Sequence, residues 1–522
     1  MHRHIIIENI TPSVDFGAYP AKRVVGDLCD IGAHIFRDGD PVLQAVVKWR
    51  HKSDDLFHET PLTEIENDEW HGTFLLERSG CYEFRIEAWT NEFATWQGGL
   101  RQKVKISEAN VVSGANVASG ASLASEGNIL ADDVRSNLQE GAEIAARLLS
   151  KQRAAKEASW VTELIANMQS PRDDPSAVIE RALSLETTRV FSCIKPRRDI
   201  ATSKTFTIIV EPVLSRFSSW YEMFPRSSGT DETRGATFKE ASARLPDIRD
   251  MGFDVLYLPP IHPIGTTNRK GRNNALVAAP GDPGSPWQIG SAAGGHTAIE
   301  PALGSFAEFD HFMTIAKGLG LAIALDFAIQ CSPDHPWVKA HPEWFSHRPD
   351  GTIKYAENPP KKYQDIYPVN FDTDDEEGLW EALYQVLLFW IGRGVLIFRV
   401  DNPHTKPIQF WSWLIGKIKQ DYPDVLFLSE AFTRPKRMKM LAKIGFSQSY
   451  TYFTWRDTKQ DLVSYLTELT QSGMQEYFRP NFFANTPDIL PLILQRGGPI
   501  AFKMRLLLAA TLSPAYGIYS GY

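Results

Sequence analysis

Leu396-Ile397-Phe398-Arg399-Val400-Asp401 is a largely apolar run, too short for a helix, that ends on a carboxylate. Text of this kind suits a strand buried on both faces of a parallel sheet, with its acid at the carboxyl end. Seven further runs are apolar and strand-like: Trp220–Phe224, Val255–Leu258, Ala322–Phe327, Leu426–Glu430, Phe446–Phe453, Tyr477–Asn485 and Pro514–Tyr519. Each but the last is followed by room for a helix, which predicts an α/β fold, a (β/α)8 TIM barrel over 213–522. The segment from Cys331 to Asn370 is longer than an ordinary connection and rich in Pro, His and aromatic residues. It is expected to form a subdomain, 331–370, after the third barrel strand.

Upstream the pattern changes. From Ile5 to about Ser107 short alternating runs, such as Ala45-Val46-Val47-Lys48-Trp49-Arg50, are separated by Asp-Gly and Ser-Gly turns. These predict an N-terminal β-sandwich over 1–112, with 196–212 as a stretch able to return to it. Residues 113–127 are small and polar without an apolar period, the composition of a linker or mobile loop. Three helical patterns follow, around Val134–Leu149, Trp160–Met168 and Val178–Leu183, the last opened by Asp174-Pro175. The linker and helical module occupy 113–195. With so few apolar positions, the module is expected to lack a full core and to pack on the β domain or on a second copy of the chain.

The 522 residues carry 55 Lys and Arg against 63 Asp and Glu, a formal charge of −8, which disfavours nucleic acid as a partner. Cys29, Cys81, Cys193 and Cys331 have no CxxC spacing, so neither a disulfide framework nor a zinc cluster is expected, and a reducing compartment fits. The apolar start Ile5-Ile6-Ile7 is too short for a signal peptide, and the greasiest stretch, Val386–Phe398, is broken by Arg393. The expectation is a soluble cytoplasmic protein with no membrane partner.

Acids close the barrel strands repeatedly: Asp326, Asp401 and Glu430, with Asp488 just beyond Asn485. One such acid could be a salt bridge or a helix cap. Several at successive strand ends point to chemistry, because buried carboxylates are costly without a use or a partner. Two carboxylates facing one point suit glycosyl transfer, one attacking the anomeric carbon and the other moving protons. Asp401 and Glu430, on neighbouring strands, are the natural pair. Arg399 shares the strand face of Asp401 and can hold it ionised and aimed. The acidic run Asp372–Glu377 reads as a helix start favoured by the macrodipole, so no metal and no cofactor is expected.

The phrases Leu396-Ile397-Phe398-Arg399-Val400-Asp401-Asn402-Pro403-His404, Phe427-Leu428-Ser429-Glu430-Ala431 and Ala324-Leu325-Asp326-Phe327 resemble the strand-end motifs of the α-amylase family, glycoside hydrolase family 13. Within it, Trp220-Tyr221-Glu222-Met223-Phe224-Pro225, Asp326–Cys331, Asp401–Pro407 and Asn485–Leu490 resemble the maltosyltransferases that extend α-1,4-glucans from maltose 1-phosphate. The likeness runs along nearly the whole chain, including Pro20–Gly26 and the helical module. Gln330-Cys331 and Thr486-Pro487-Asp488 stand where ordinary amylases carry Asn-His and His-Asp, which weakens a hydrolase reading.

The resemblance implies Asp401 as nucleophile, Glu430 as general acid and base, and Asp488 as a third carboxylate that orients sugar hydroxyls. It places Lys270, Asn358, Tyr363 and Asn402 against the donor phosphate, with Gln330 and Arg399 completing the substrate site. Read alone, the basic loop 268–274 would be a solvated surface loop and Asn358 an ordinary loop residue. The implied partners are maltose 1-phosphate, an α-1,4-glucan and a second copy of the chain, paired through the helical module. The alternatives are an α-glucan hydrolase or transglycosidase without a phosphate donor, and a catalytically inactive glucan-binding protein. The text stops at Gly517–Tyr522, so the last barrel helix and the C-terminal β domain are absent from it, and apolar surface they would cover is expected to be exposed.

Overall fold

Eight parallel strands close into a barrel in the computed structural model, which describes residues 4–112, 123–150, 159–171, 175–193, 197, 199–231 and 233–522. In chain order the strands are β1 (Ser218–Glu222), β2 (Val255–Leu258), β3 (Ala322–Phe327), β4 (Ile397–Asp401), β5 (Leu426–Glu430), β6 (Gln448–Tyr450), β7 (Pro480–Phe483) and β8 (Ala515–Tyr519). Each apolar run expected to be a strand overlaps one: Val255–Leu258, Ala322–Phe327 and Leu426–Glu430 match end to end, Trp220–Phe224 shifts two residues toward the amino end, and the rest are trimmed. Phe446–Phe453 narrows to β6 because Tyr452–Trp455 turns into a 3-10 helix, which Thr451 caps through the Phe453 N–H.

Alternate residues of the strands fill the barrel. Trp220, Tyr257, Ala324, Ile397, Leu428 and Tyr450 belong to one buried cluster. Gly517 in β8 leaves room for it, since a Cβ there would lie 2.5 Å from the Phe483 ring. The same two-residue period carries Glu222, Asp326, Arg399, Asp401 and Glu430 to the inner face at the carboxyl ends of their strands. Outside the barrel, helices Glu376–Ile391 and Ile408–Asp421 bury Leu387, Trp390, Phe410 and Trp411 against the strands. The first is capped by Asp375, whose Oδ1 accepts the Gly378 N–H at 3.2 Å, and Glu376 and Glu377 fill its first turn. The acidic run at 372–377 is thus a helix start. On helix Leu492–Leu512, Ile500 (81% exposed), Met504 and Leu507 face solvent at i, i+4 and i+7.

The chain divides into two compact units: one comprises the chain up to Pro12, Leu28–Phe74 and Glu83–Phe206, the other Ser13–Asp27, Leu75–Tyr82 and Thr207–Tyr522. In the first, strands lie in the order Ile5–Thr11, Leu28–Arg37, Glu69–Leu75, His58–Glu64, Leu43–His51, Gly80–Thr90. Ala201–Thr202 returns to pair with the last of these, Thr202 opposite Glu87. In the second, Ala21–Val24 pairs in parallel with Phe206–Glu211, Ala21 opposite Ile208, so a stretch read as part of the β domain groups with the barrel.

The helical module departs from expectation. The all-β reading to Ser107 fails at Glu92, where a helix begins and runs to Val112. The linker reading at 113–127 fails over its last five residues, which open helix Leu123–Leu149, while 113–122 lie outside the described residues. The helix expected to open on Asp174-Pro175 has Pro175 as its N-cap and begins at Ser176; Asp174 lies outside the described residues. A further helix, Leu185–Ser192, follows it. Phe93, Trp96 and Leu100 from the unforeseen first helix join Leu138, Val161, Met168 and Phe191 in one buried cluster. The module therefore has a core of its own, because the sequence patterns omitted the helix that supplies the largest side chains.

Among the described residues, no helix is long and apolar enough to cross a membrane.

Candidate active site

Arg399, 5% exposed, sits opposite Asp326 in the β3–β4 register and two residues before Asp401 on its own strand. Its Nη1 donates to Asp326 Oδ2 at 2.8 Å and to Asp401 Oδ1 at 3.0 Å, and its Nη2 pairs with Glu430 Oε1 at 2.7 Å. Tyr257 Oη on β2 donates to the same Asp326 oxygen at 2.5 Å. Asp401 and Glu430 are opposite each other in the β4–β5 register. One guanidinium therefore gathers three carboxyls from three adjacent strands, a task suited to its planar array of donors.

Asn402 turns the chain out of β4 with left-handed backbone angles (φ 42°, ψ 54°), which Asn tolerates better than most residues. The turn brings its N–H to 3.4 Å from Glu430 Oε2, and its side-chain Nδ2 lies 3.4 Å from Asp401 Oδ1. Asp401 thus accepts from Arg399 and Asn402, donors matched to an ionised carboxylate.

Burial raises the Glu430 carboxyl well above the ordinary range, Arg399 opposes this, and Asp401 and Asp326 add to it. Burial likewise lifts Asp326 to about 7, against the pull of Arg399. For Arg399 burial works downward, but Asp326 and Glu430 outweigh it and push the guanidinium upward, so its charge is fixed. The arrangement sets a carboxyl on β5 that burial makes hold its proton more tightly beside a carboxyl on β4 that accepts from two donors, a pairing a double displacement can use.

The other expected residues lie on the loops. Lys270 is buried in the loop after β2, its Nζ 3.4 Å from Gln364 Oε1, and Asn268 Nδ2 donates to the Gln364 carbonyl at 3.2 Å. Tyr363, half-buried, and Asn358, exposed, lie on a short hairpin in the insertion after β3, where Ala356 pairs with Tyr363 and Asn358 with Lys361. Gln330 follows β3 and donates through Nε2 to the Trp287 carbonyl at 3.3 Å. Asp334 fastens the same two loops, accepting the N–H groups of Thr266 at 2.6 Å and Thr267 at 2.8 Å. Asp488 is exposed on the loop after β7, outside the Arg399 cluster but close enough to be felt by Glu222. The structure thus gathers Asp401, Glu430, Arg399 and Asn402 into one hydrogen-bonded set and keeps Lys270 with the 358–364 hairpin in a second.

Sequence reasoning left Tyr257 and Glu222 out of the site. Tyr257 sits in Val255-Leu256-Tyr257-Leu258 and reads as strand core. Glu222 closes β1 as Asp326 closes β3, so the strand-end criterion would have found it had the motif around it been read acid by acid.

Two groups of described residues bring three ligand-type atoms within 4.8 Å of one another: His296, Cys331 and His335, and His341, Glu343 and Asp375. In the first, the ring nitrogens are already committed: His296 Nε2 to the Ala328 carbonyl at 3.0 Å, its Nδ1 to His335 Nε2 at 3.1 Å, and His335 Nδ1 to the Trp337 N–H at 3.0 Å. Burial pushes His296 down to about 4 and His335 to about 2, so both rings are neutral partners in a hydrogen-bond chain. In the second, Asp375 is engaged by Gly378 and by Trp344 Nε1 at 2.9 Å.

Residues 3–212 match a family described as alpha-1,4-glucan:maltose-1-phosphate maltosyltransferase, domain N/S. A protein of that name from Myxococcus xanthus is 48% identical over 530 residues, covering 99% of this chain and 75% of its own. One from Chlorobaculum tepidum is 46% identical over 519 residues, covering 99% of this chain and 73% of its own. Among solved structures, an alpha-amylase from Lactobacillus plantarum is 24% identical with a TM-score of 0.48, covering 59% of this chain and 72% of that one.

Proposed function

The chain belongs to the alpha-1,4-glucan:maltose-1-phosphate maltosyltransferase family, and on that premise we propose that it moves maltosyl units from α-maltose 1-phosphate to the non-reducing end of an α-1,4-glucan, releasing phosphate with retention of the anomeric configuration. The observation that carries the mechanism is the sharing of Arg399 by Asp401 and Glu430. In the first displacement an Asp401 oxygen bonds to the anomeric carbon as the carbon–phosphate-oxygen bond breaks, and Glu430 gives its proton to the departing phosphate. In the second, the Glu430 carboxylate takes the proton of the glucan 4-hydroxyl, that oxygen attacks the anomeric carbon, and the Asp401 ester is released.

Lys270, Asn358, Tyr363 and Asn402 are the residues we assign to the donor phosphate. The buried ammonium of Lys270 is the cation among them, and charge-assisted hydrogen bonds are strongest where water is excluded. Asp488 is assigned to sugar hydroxyls beside the reacting carbon, and Gln330 to the substrate wall formed by the insertion after β3. No step calls for a metal.

A homodimer joined through the helical module, in the cytoplasm, completes the reading. Its support is the resemblance of the module, since the module's own core removes the packing argument for a partner. A monomer mass by sedimentation would remove the dimer.

The deciding experiment incubates the protein with α-maltose 1-phosphate and glycogen and assays phosphate and glucan length. Phosphate release with elongation supports the transferase. Reducing sugar formed without a phosphate donor identifies a hydrolase, and glucan binding without turnover identifies an inactive platform.

A further inference from the structure

Glu222 closes β1, yet the two displacements give it no step. It is 2% exposed, and its Cα lies opposite Tyr257 on β2 and Tyr519 on β8. Trp220, two residues earlier on the same face, packs in the barrel interior, so the Glu222 side chain is directed inward as well. Its Oε2 is buried without a hydrogen-bond partner. On the other side of the account, the Nη atoms of Arg399 are taken by Asp326, Asp401 and Glu430, while its Nε is buried and unpaired. Four carboxyls thus crowd the Arg399 guanidinium, with the Lys406 ammonium as a second cation felt by Asp401, Glu430 and Asp326. Were all four ionised, the barrel mouth would hold more buried negative than positive charge, which proteins avoid by keeping protons.

We propose that Glu222 is a positioning residue for the transfer: as a neutral acid it leaves Arg399 to Asp326, Asp401 and Glu430, and as a carboxylate it competes with them through the unpaired Nε. The groups facing it are Arg399 on β4, Asp326 on β3, Asp488 after β7, and the phenols of Tyr257, Tyr450 and Tyr519 on β2, β6 and β8. Arg399 is the cation in that ring. Burial first, then Asp326 and Asp488, lift the Glu222 carboxyl to about 8 against the pull of Arg399. The residue therefore keeps its proton at neutral pH, and ionising it adds a further negative charge at the point where Asp401 and Glu430 must stay aligned.

The proposal rests on the transferase reading for its kinetic assay, and phosphate release by the wild type at pH 7 checks that reading first. The wild-type kcat should then fall about tenfold per pH unit above the Glu222 transition, and Glu222→Gln, which copies the neutral acid, should move that limb upward by about one unit or more. Glu222→Ala should lower kcat by about tenfold or more with KM changed by less than about threefold, and Glu222→Gln should recover most of that loss. A wild-type profile flat to about pH 10, a Glu222→Gln profile superimposed on the wild type, or a Glu222→Ala defect confined to KM overturns the proposal. Should phosphate release fail altogether, urea unfolding reads the neutral acid without substrate. A carboxyl raised from 4.5 to about 8 contributes stability that is lost as pH rises through that window, so the wild type should weaken relative to Glu222→Gln, and parallel curves overturn the proposal.

Discussion

Asp401 Oδ1 lies 3.0 Å from one terminal nitrogen of Arg399 and Glu430 Oε1 lies 2.7 Å from the other, so the two carboxyls at opposite positions of β4 and β5 are spaced by a single planar group. A retaining pair stands about 5 to 5.5 Å apart, whereas an inverting pair needs roughly 6.5 to 9.5 Å to admit a water. Bridging by one guanidinium favours the closer arrangement. Lys in place of Arg399 keeps a charge but cannot serve three carboxyls in fixed directions. Arg399→Lys should reduce kcat at least about a hundredfold, because the planar fork that aims the carboxyls is lost while the charge is kept. Near-wild-type kcat in that variant would show that the clasp is not what aligns the pair.

The two displacements make different demands on Glu430. Phosphate is already a good leaving group, whereas the glucan hydroxyl is a poor nucleophile until its proton is removed. Glu430→Ala should therefore accumulate a maltosyl-enzyme on mixing with a maltosyl donor, and Asp401→Ala should form none. Peptide mass spectrometry locates the adduct. A maltosyl group on any residue other than Asp401, or an inverted product anomer from the wild type, contradicts the mechanism.

Lys270 gives the donor site a test of its own. A hydrogen bond to a charged group contributes about 1.5 to 3 kcal/mol, so Lys270→Ala should raise KM for maltose 1-phosphate by about ten- to a hundredfold. Maltosyl fluoride carries no phosphate and should be used by Lys270→Ala nearly as well as by the wild type. An equal loss on both donors would reassign Lys270 to holding the loop after β2 against Gln364.

How far these features were legible in the sequence follows from what each signal measures. The barrel strands could be read because a strand buried on both faces must be continuously apolar, and the acids that close β3, β4 and β5 break that rule visibly. The Asp401–Glu430 pair followed from adjacency, and Arg399 from a two-residue spacing. The reach of Arg399 to Asp326 was hidden, because it depends on the β3–β4 register, which no local pattern encodes. Helix Glu92–Val112 was missed for the opposite reason: its Gly98-Gly99 pair and mixed polarity give little amphipathic signal, and the burial of Trp96 under other helices decides its conformation. Asn358 and Tyr363 sit on a two-stranded hairpin whose place relative to the strands is set by tertiary contacts such as Asn268 to Gln364, so only resemblance pointed to them.

At the amino end of the barrel a second ionic cluster should govern stability rather than turnover. Glu211, buried at the end of strand Phe206–Glu211, accepts from Lys419 Nζ at 2.5 Å and Ser447 Oγ at 2.6 Å through Oε1, and Arg479 Nη1 meets its Oε2. Arg479 also donates to Ser215 Oγ at 2.7 Å and to the Arg23 carbonyl at 2.9 Å, and Lys22 Nζ caps the Phe446 carbonyl. One carboxylate thus ties helix Ile408–Asp421 to the segments entering β6 and β7. Burial alone would raise Glu211, but Lys419, Arg479 and Lys22 outweigh it and hold it down at about 2. A depressed carboxylate contributes stability that is fully present above its unfolded value of 4.5 and is lost as pH falls toward 2. Glu211→Gln strands two or three buried cations and should cost roughly 3 to 5 kcal/mol at pH 7. In urea unfolding the gap between wild type and Glu211→Gln should stay constant from pH 7 to about 5 and close progressively below that. A loss under about 1 kcal/mol at pH 7, or a gap that does not narrow in acid, would mean that water reaches the cluster and screens it.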